Sequence, residues 1–207
     1  MKVLMLNGSP RKNGNTTIAL DEIKTVLEQE GIEVEIIQVG NMDISGCKGC
    51  LYCRDNAKCV KDDIVNEIAK KLEEADGMVI GSPVYYSSAN GTLVSLLDRL
   101  FYSTKFNKTM KVGASVAVAR RGGCSTTFDV LNKYFTICGM PVCSSQYWNS
   151  VHGRAVGEAV RDDEGMQTMR TLARNMVFLM KSIALGKEKY GLPEKEKPVM
   201  TSFIKKQ

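Results

Sequence analysis

The chain is predicted to fold as one α/β domain with a doubly wound, five-stranded parallel sheet. Three observations carry that prediction. Short apolar runs alternate with amphipathic stretches of helical period along most of the 207 residues. The apolar runs are near-continuous rather than alternating, as in strands covered on both faces. Composition is that of an ordinary globular chain, with 43% hydrophobic and 25% charged residues, which excludes disordered, collagen-like and coiled-coil classes.

The elements follow in order. KVLMLN at 2–7 reads as a buried strand stopped by Gly8-Ser9-Pro10, after which Ala19, Ile23, Val26 and Leu27 recur at helical spacing. Residues 33–39 form a second strand, carrying Val34, Ile36, Ile37 and Val39. Beyond a cysteine-rich segment at 43–61, Asp62 and Asp63 cap a helix bearing Ile64, Ile68 and Leu72. GMVIGS at 77–82 is the third strand, and Leu93, Leu96, Leu97, Leu100 and Phe101 stripe the next helix. A fourth strand spans 112–119, Phe128, Leu131 and Phe135 mark a helix, and a fifth strand is expected at 142–147. The last long helix carries Met166, Met169, Leu172, Ala173, Met176 and Met180. Right-handed crossovers between parallel strands then place helices on both faces. The domain is expected to span 1–186. Residues 187–207 lose periodicity and hold six Lys against three Glu, which predicts an extended basic tail.

Lys plus Arg at 28 against Asp plus Glu at 23 gives +5, an excess suited to anionic ligands and too diffuse for a nucleic-acid footprint. The first apolar run is too short for a secretory h-region and no stretch approaches a membrane span, so a cytoplasmic protein, off the membrane, is expected. Thiols stay reduced there, and seven cysteines, four of them between Cys47 and Cys59, point to metal, cluster or redox use rather than a disulfide framework.

The loop from Asn7 to Thr17 joins the first strand to a helix start, where unpaired N–H groups and a partial positive charge favour an anion. Ser9, Asn15, Thr16 and Thr17 add short donors and Arg11 a guanidinium fork, a set suited to a phosphate monoester. Five residues separate Gly8 from Gly14 and Asn15 follows, so the NTPase P-loop spacing and its lysine are both lacking, as is any G-x-G-x-x-G here. In open parallel sheets ligands sit outside the carboxyl ends of the strands at the switch point. The third strand ends there in Pro83, Val84, Tyr85, Tyr86 and Ser87, able to lay a flat wall against a ring. The fourth ends in Arg120, Arg121, Gly122 and Gly123, which bring positive charge and close backbone approach. Together these describe a phosphate pocket beside an aromatic slot. The single histidine, His152, leaves little material for histidine chemistry and is read as structural; Asp162 and Asp163 are read as helix caps, and Cys124, Cys138 and Cys143 as small buried hydrophobes.

Ser9-Pro10-Arg11 with Asn15-Thr16, Gly81-Ser82-Pro83-Val84-Tyr85 and Leu96-Leu97-Asp98-Arg99 resemble the NAD(P)H-dependent FMN reductase and flavodoxin-like superfamily over about 1–147, and within it the iron-sulfur flavoproteins. The resemblance implies a flavodoxin-like sheet of order 2-1-3-4-5 and FMN, its phosphate on Ser9, Arg11, Asn15, Thr16 and Thr17. Pro83, Val84, Tyr85, Tyr86, Ser87, Arg120 and Gly122 would lie around the ring. Cys47, Cys50, Cys53 and Cys59 have the spacing C-x2-C-x2-C-x5-C, which wraps three thiolates round one centre and closes with a fourth. A [4Fe-4S] cluster fits that spacing and the resemblance alike; zinc and thiols that bind nothing are the alternatives. The resemblance further implies an oxidoreductase taking electrons from ferredoxin or NAD(P)H to a small acceptor such as O2, H2O2, a quinone or free flavin, working as a homodimer or homotetramer. A non-catalytic electron carrier or redox sensor is the competing reading, against which stands the positive net charge, since electron-carrier flavodoxins tend to be acidic.

Overall fold

Strand β1 (Lys2–Asn7) sends Val3 and Met5 to one face of the sheet and Leu4 and Leu6 to the other, all fully buried, and this alternation divides the core in two. On one side α1 (Asn15–Gln29) and α6 (Asp163–Tyr190) cover Val3, Met5, Val79 and Val116. On the other, α3 (Ile64–Glu74), α4 (Gly91–Ser103) and α5 (Cys124–Thr136) cover Leu4, Leu6, Met78 and Ile80. The computed structural model describes residues 1–197, 199, 201 and 203.

The sheet runs β2 (Glu33–Gln38), β1, β3 (Gly77–Tyr85), β5 (Val112–Ala119), β6 (Ser150–His152), every neighbouring pair parallel. Counting only these five, the order is the expected 2-1-3-4-5. The sixth strand, β4 (Ser88–Ala89), folds back antiparallel on the end of β3 through Tyr86 and Ser87, both at positive φ, as a tight hairpin turn requires.

Two elements depart from the sequence expectation. At 142–147 only Val142 bridges to Gly113, and Cys143 donates its N–H to the Gly113 carbonyl. The polar run Ser144-Ser145-Gln146 then swings out, closed by the Ser145 hydroxyl on Asn149, and the ladder resumes at Ser150–His152. Three residues carry too little periodicity to be read, although Val151 is fully buried. Helix α6 also continues to Tyr190, four residues into the expected tail; of that tail, 198, 200, 202 and 204–207 lie outside the described residues. Among the described residues no helix is long and apolar enough to cross a membrane.

Candidate functional site

The N-cap of helix α1 is Gly14, which supplies no side-chain cap. The N–H groups of Asn15, Thr16 and Thr17 therefore find no acceptor among the described residues and point out of the helix start as an anion cradle. The loop leading to them is held rigidly from within. Ser9 N–H donates to Asn7 Oδ1 (2.9 Å), Arg11 N–H to the Ser9 hydroxyl (3.1 Å), and Gln38 Nε2 to the Ser9 carbonyl (2.9 Å). Arg11 is exposed and has no ion-pair partner among the described residues, so its fork is free for a ligand.

Three expected phosphate contacts have partners within the protein for their side chains, the Ser9 hydroxyl on Arg11 N–H being one. Asn15 Nδ2 donates to the Ala155 carbonyl and its Oδ1 accepts from Ala159 N–H, which ties α1 to the segment after β6. Thr17 Oγ1 accepts from Asn7 Nδ2 and donates to the Lys12 carbonyl. Asn15 and Thr17 keep their backbone N–H groups in the cradle.

The second and third loops arrive at the same end of the sheet and lock together. Thr126 Oγ1 donates to the Ser87 carbonyl (2.7 Å). Gly123, at φ +93°, lies so close beneath the hairpin that a Cβ there would stand 2.8 Å from both Ser87 Cα and Val84 Cγ1. Beside it, Gly122 faces open space, Tyr85 is half exposed, and Tyr86 stands fully out of the surface. Arg120 is exposed at the mouth.

All four cysteines of the C-x2-C-x2-C-x5-C segment line one cavity of about 70 Å3, shared with Lys61, Arg99, Tyr102 and Ser103. Gly49, Leu51 and Ala57 have positive φ, and these kinks, with the short helix α2 (Cys53–Asn56), turn successive thiols to a common side. Among the described residues no three side chains converge as ligands of one ion must. A four-iron cubane binds each thiolate through a different iron, so its four cysteines stand further apart than the ligands of a single ion. Cys47 and Cys50 are exposed, and Cys59 is half buried.

Behind Cys59 lies Arg99, whose place there the motif Leu96-Leu97-Asp98-Arg99 does not by itself disclose. It is 1% exposed, and burial works against its charge; hydrogen bonds to Asp63 and Cys59 outweigh that and raise its pKa. A charged residue on the leucine face of α4 was the available signal. A second grouping also escaped. Cys124 Sγ lies 3.9 Å from His152 Nε2, and His152 Nδ1 lies 3.5 Å from Asp162 Oδ2. Cys124 is thus half exposed beside an imidazole rather than core; desolvation first, and then Asp162, push its thiol pKa up. Cys143 is the buried hydrophobe expected.

An uncapped helix start at the switch point of a doubly wound sheet, flanked by two interlocked loops, defines a flavodoxin-like mononucleotide-binding protein. Residues 1–155 match the family of NADPH-dependent FMN reductases. An iron-sulfur flavoprotein of Methanocaldococcus jannaschii is 37% identical over 191 residues, covering 88% of this chain and 99% of the relative. Among solved structures, RosB with bound 8-demethyl-8-formylriboflavin-5'-phosphate superposes at TM-score 0.72 (19% identity, 100% and 95% of the two chains). A flavodoxin from the domain Archaea gives 0.59 (19% identity, 87% and 99%), and both likenesses speak to the fold. The chain belongs to the NADPH-dependent FMN reductase family and, within it, to the iron-sulfur flavoproteins; it is a flavin-dependent oxidoreductase.

Proposed function

We propose that the chain binds FMN at the three loops and a [4Fe-4S] cluster at Cys47, Cys50, Cys53 and Cys59, and carries electrons from ferredoxin or NAD(P)H to a small acceptor such as O2, H2O2, a quinone or free flavin. The observation that carries the reading is the uncapped first turn of α1, with three N–H groups that find no acceptor among the described residues, at the end of the sheet that also carries Pro83–Ser87 and Arg120–Gly123. When bound, FMN supplies hydride and single-electron chemistry and the cluster single-electron chemistry. The protein's part is to bind, orient and shield. The helix start and Arg11 neutralise a dianionic phosphate. Gly122 leaves room for close backbone approach, and Val84 and Tyr85 supply a wall for a flat ring.

The cysteine cavity lies against Arg99, Tyr102 and Ser103 of α4. Arg99 is eight residues beyond Gly91, about 12 Å down the helix axis at 1.5 Å per residue. The exposure of Cys47 and Cys50 supports a homodimer or homotetramer in which one subunit's cluster serves another's flavin. The test is anaerobic purification followed by flavin, iron and sulfide analysis. About one FMN, four iron and four sulfide per chain are expected. FAD in place of FMN, zinc in place of iron, or wild-type iron content in Cys50→Ser would refute the reading. Ferredoxin-driven turnover that survives loss of the cluster would refute the electron route.

A further inference from the structure

Arg99 accounts for all five of its N–H donors, and two of them go to sulfur. Nε and Nη2 donate to Cys59 Sγ at 3.3 and 3.2 Å. Nη1 and Nη2 also donate to Asp63 Oδ2 (2.7 Å) and Oδ1 (2.9 Å), and Nη1 to the Ser45 carbonyl (3.3 Å). The arrangement is braced on both sides. Asp63 caps α3 through Val65 N–H, and Asn66 accepts from Cys59 N–H and donates to the Cys59 carbonyl. A buried guanidinium is costly unless each donor is well used, and a neutral thiol is a poor acceptor. The fork is therefore built for a thiolate. A lysine could not reproduce it, because the planar five-donor geometry spans the sulfur and the carboxylate at once.

We infer that Arg99 is a positioning residue that sets the reduction potential of the cluster held by the four cysteines, acting through Cys59, with Asp63 offsetting its charge. The inference rests on the cluster reading above. Reduction adds one electron, so donors and positive charge at a ligand sulfur favour the reduced state and raise the potential. Removing Arg99 lowers it. Removing the Asp63 charge leaves the guanidinium uncompensated and raises it, while asparagine still caps α3.

The test is a dithionite titration, followed by electron paramagnetic resonance, of anaerobically purified full-length protein: wild type, Arg99→Gln, Arg99→Lys and Asp63→Asn, with iron counted in each. Arg99→Gln is expected to shift the one-electron reduction equilibrium at least tenfold toward the oxidised form, a fall of 59 mV or more. Arg99→Lys should fall between it and wild type, and Asp63→Asn should move the opposite way. A merely structural role would not produce opposite signs. If Arg99→Gln fails to fold or loses iron, Asp63→Asn decides alone, and a potential at or below wild type there overturns the inference. Iron-loaded variants with unshifted potentials overturn it and leave the cluster reading standing. Wild type without iron overturns both.

Discussion

Replacing Gly123 by alanine probes the joint between the two ring loops. The residue sits at φ +93°, where an L side chain costs about 1–2 kcal/mol. Its new methyl would also stand 2.8 Å from Ser87 Cα and Val84 Cγ1, and reaching ordinary contact at 3.4 Å means moving hairpin backbone by 0.6 Å. Backbone cannot rotate away as a flexible side chain would, and overpacking of this kind costs about 1–3 kcal/mol. The total, about 2–5 kcal/mol, is a large part of the roughly 5–15 kcal/mol by which a domain is stable. At a urea dependence near 2 kcal/mol per molar, the midpoint should fall by about 1–2.5 M. The assay is urea unfolding of flavin-free protein by circular dichroism, with Gly122→Ala as the neighbour control. A methyl at Gly122 meets nothing within 4 Å among the described residues, so stability should hold while FMN affinity drops, because on the proposed placement that methyl would intrude on the ring. A Gly123→Ala midpoint within 0.3 M of wild type, an order-of-magnitude threshold set by the same slope, would refute the steric argument.

Arg11→Ala is expected to weaken FMN by about 1.5–3 kcal/mol, roughly tenfold to a hundredfold in Kd by fluorescence titration, and unchanged affinity would remove Arg11 from the site. Gly40→Ala should destabilise the fold and the phosphate loop together, since the added carbon would overlap the Gly8 carbonyl and the Ser9 backbone; a wild-type thermal midpoint would contradict this. Burial pushes the Cys143 thiol up to about 12, so iodoacetamide at pH 8 should leave it unmodified in folded protein and label it in denaturant, read by mass spectrometry. The same shift means that, as pH rises past the value of about 8.5 for a free thiol, the unfolded chain ionises while the folded one keeps its proton. Cys143 then subtracts stability, and Cys143→Ala should flatten that alkaline loss.

The four longest parallel strands are legible because each is an apolar run bounded by turn residues. β6 is not, because its ladder breaks after Cys143 and resumes on three residues of which only Val151 is apolar. The hairpin at Tyr86 and Ser87 is hidden for another reason. Its two central residues take positive φ without being glycine or asparagine, and the interlock with Gly123 and Thr126 holds them there. At the site, the loop from Asn7 to Thr17 and the cysteine segment are legible because each signal lies in one short stretch of chain. The internal hydrogen bonds of the Asn15 and Thr17 side chains are not legible, because small polar residues at a helix start serve a ligand or the loop itself equally well. Arg99 with Cys59, and Cys124 with His152, come together only through packing, and no spacing in the chain announces them.

Two of the four aspartates read as caps, Asp63 and Asp162, show why local explanations stop short. Asp63 does cap α3, yet the same carboxylate grips Arg99. Asp162 caps α6 with Oδ1 on Gly165 N–H, while Oδ2 accepts from His152 N–H at 2.6 Å. A carboxylate has about four lone-pair sites, and a cap uses one or two. The remainder is free to orient whatever the fold brings alongside, and in both places that neighbour borders a cysteine. Each helix start thereby helps to hold a residue that lies beside a cysteine. It follows that changing either aspartate to alanine should disturb helix and site together, whereas asparagine should preserve the helix and expose the effect on the site alone. That separation is what allows Asp63→Asn to report on the cluster while α3 stays folded.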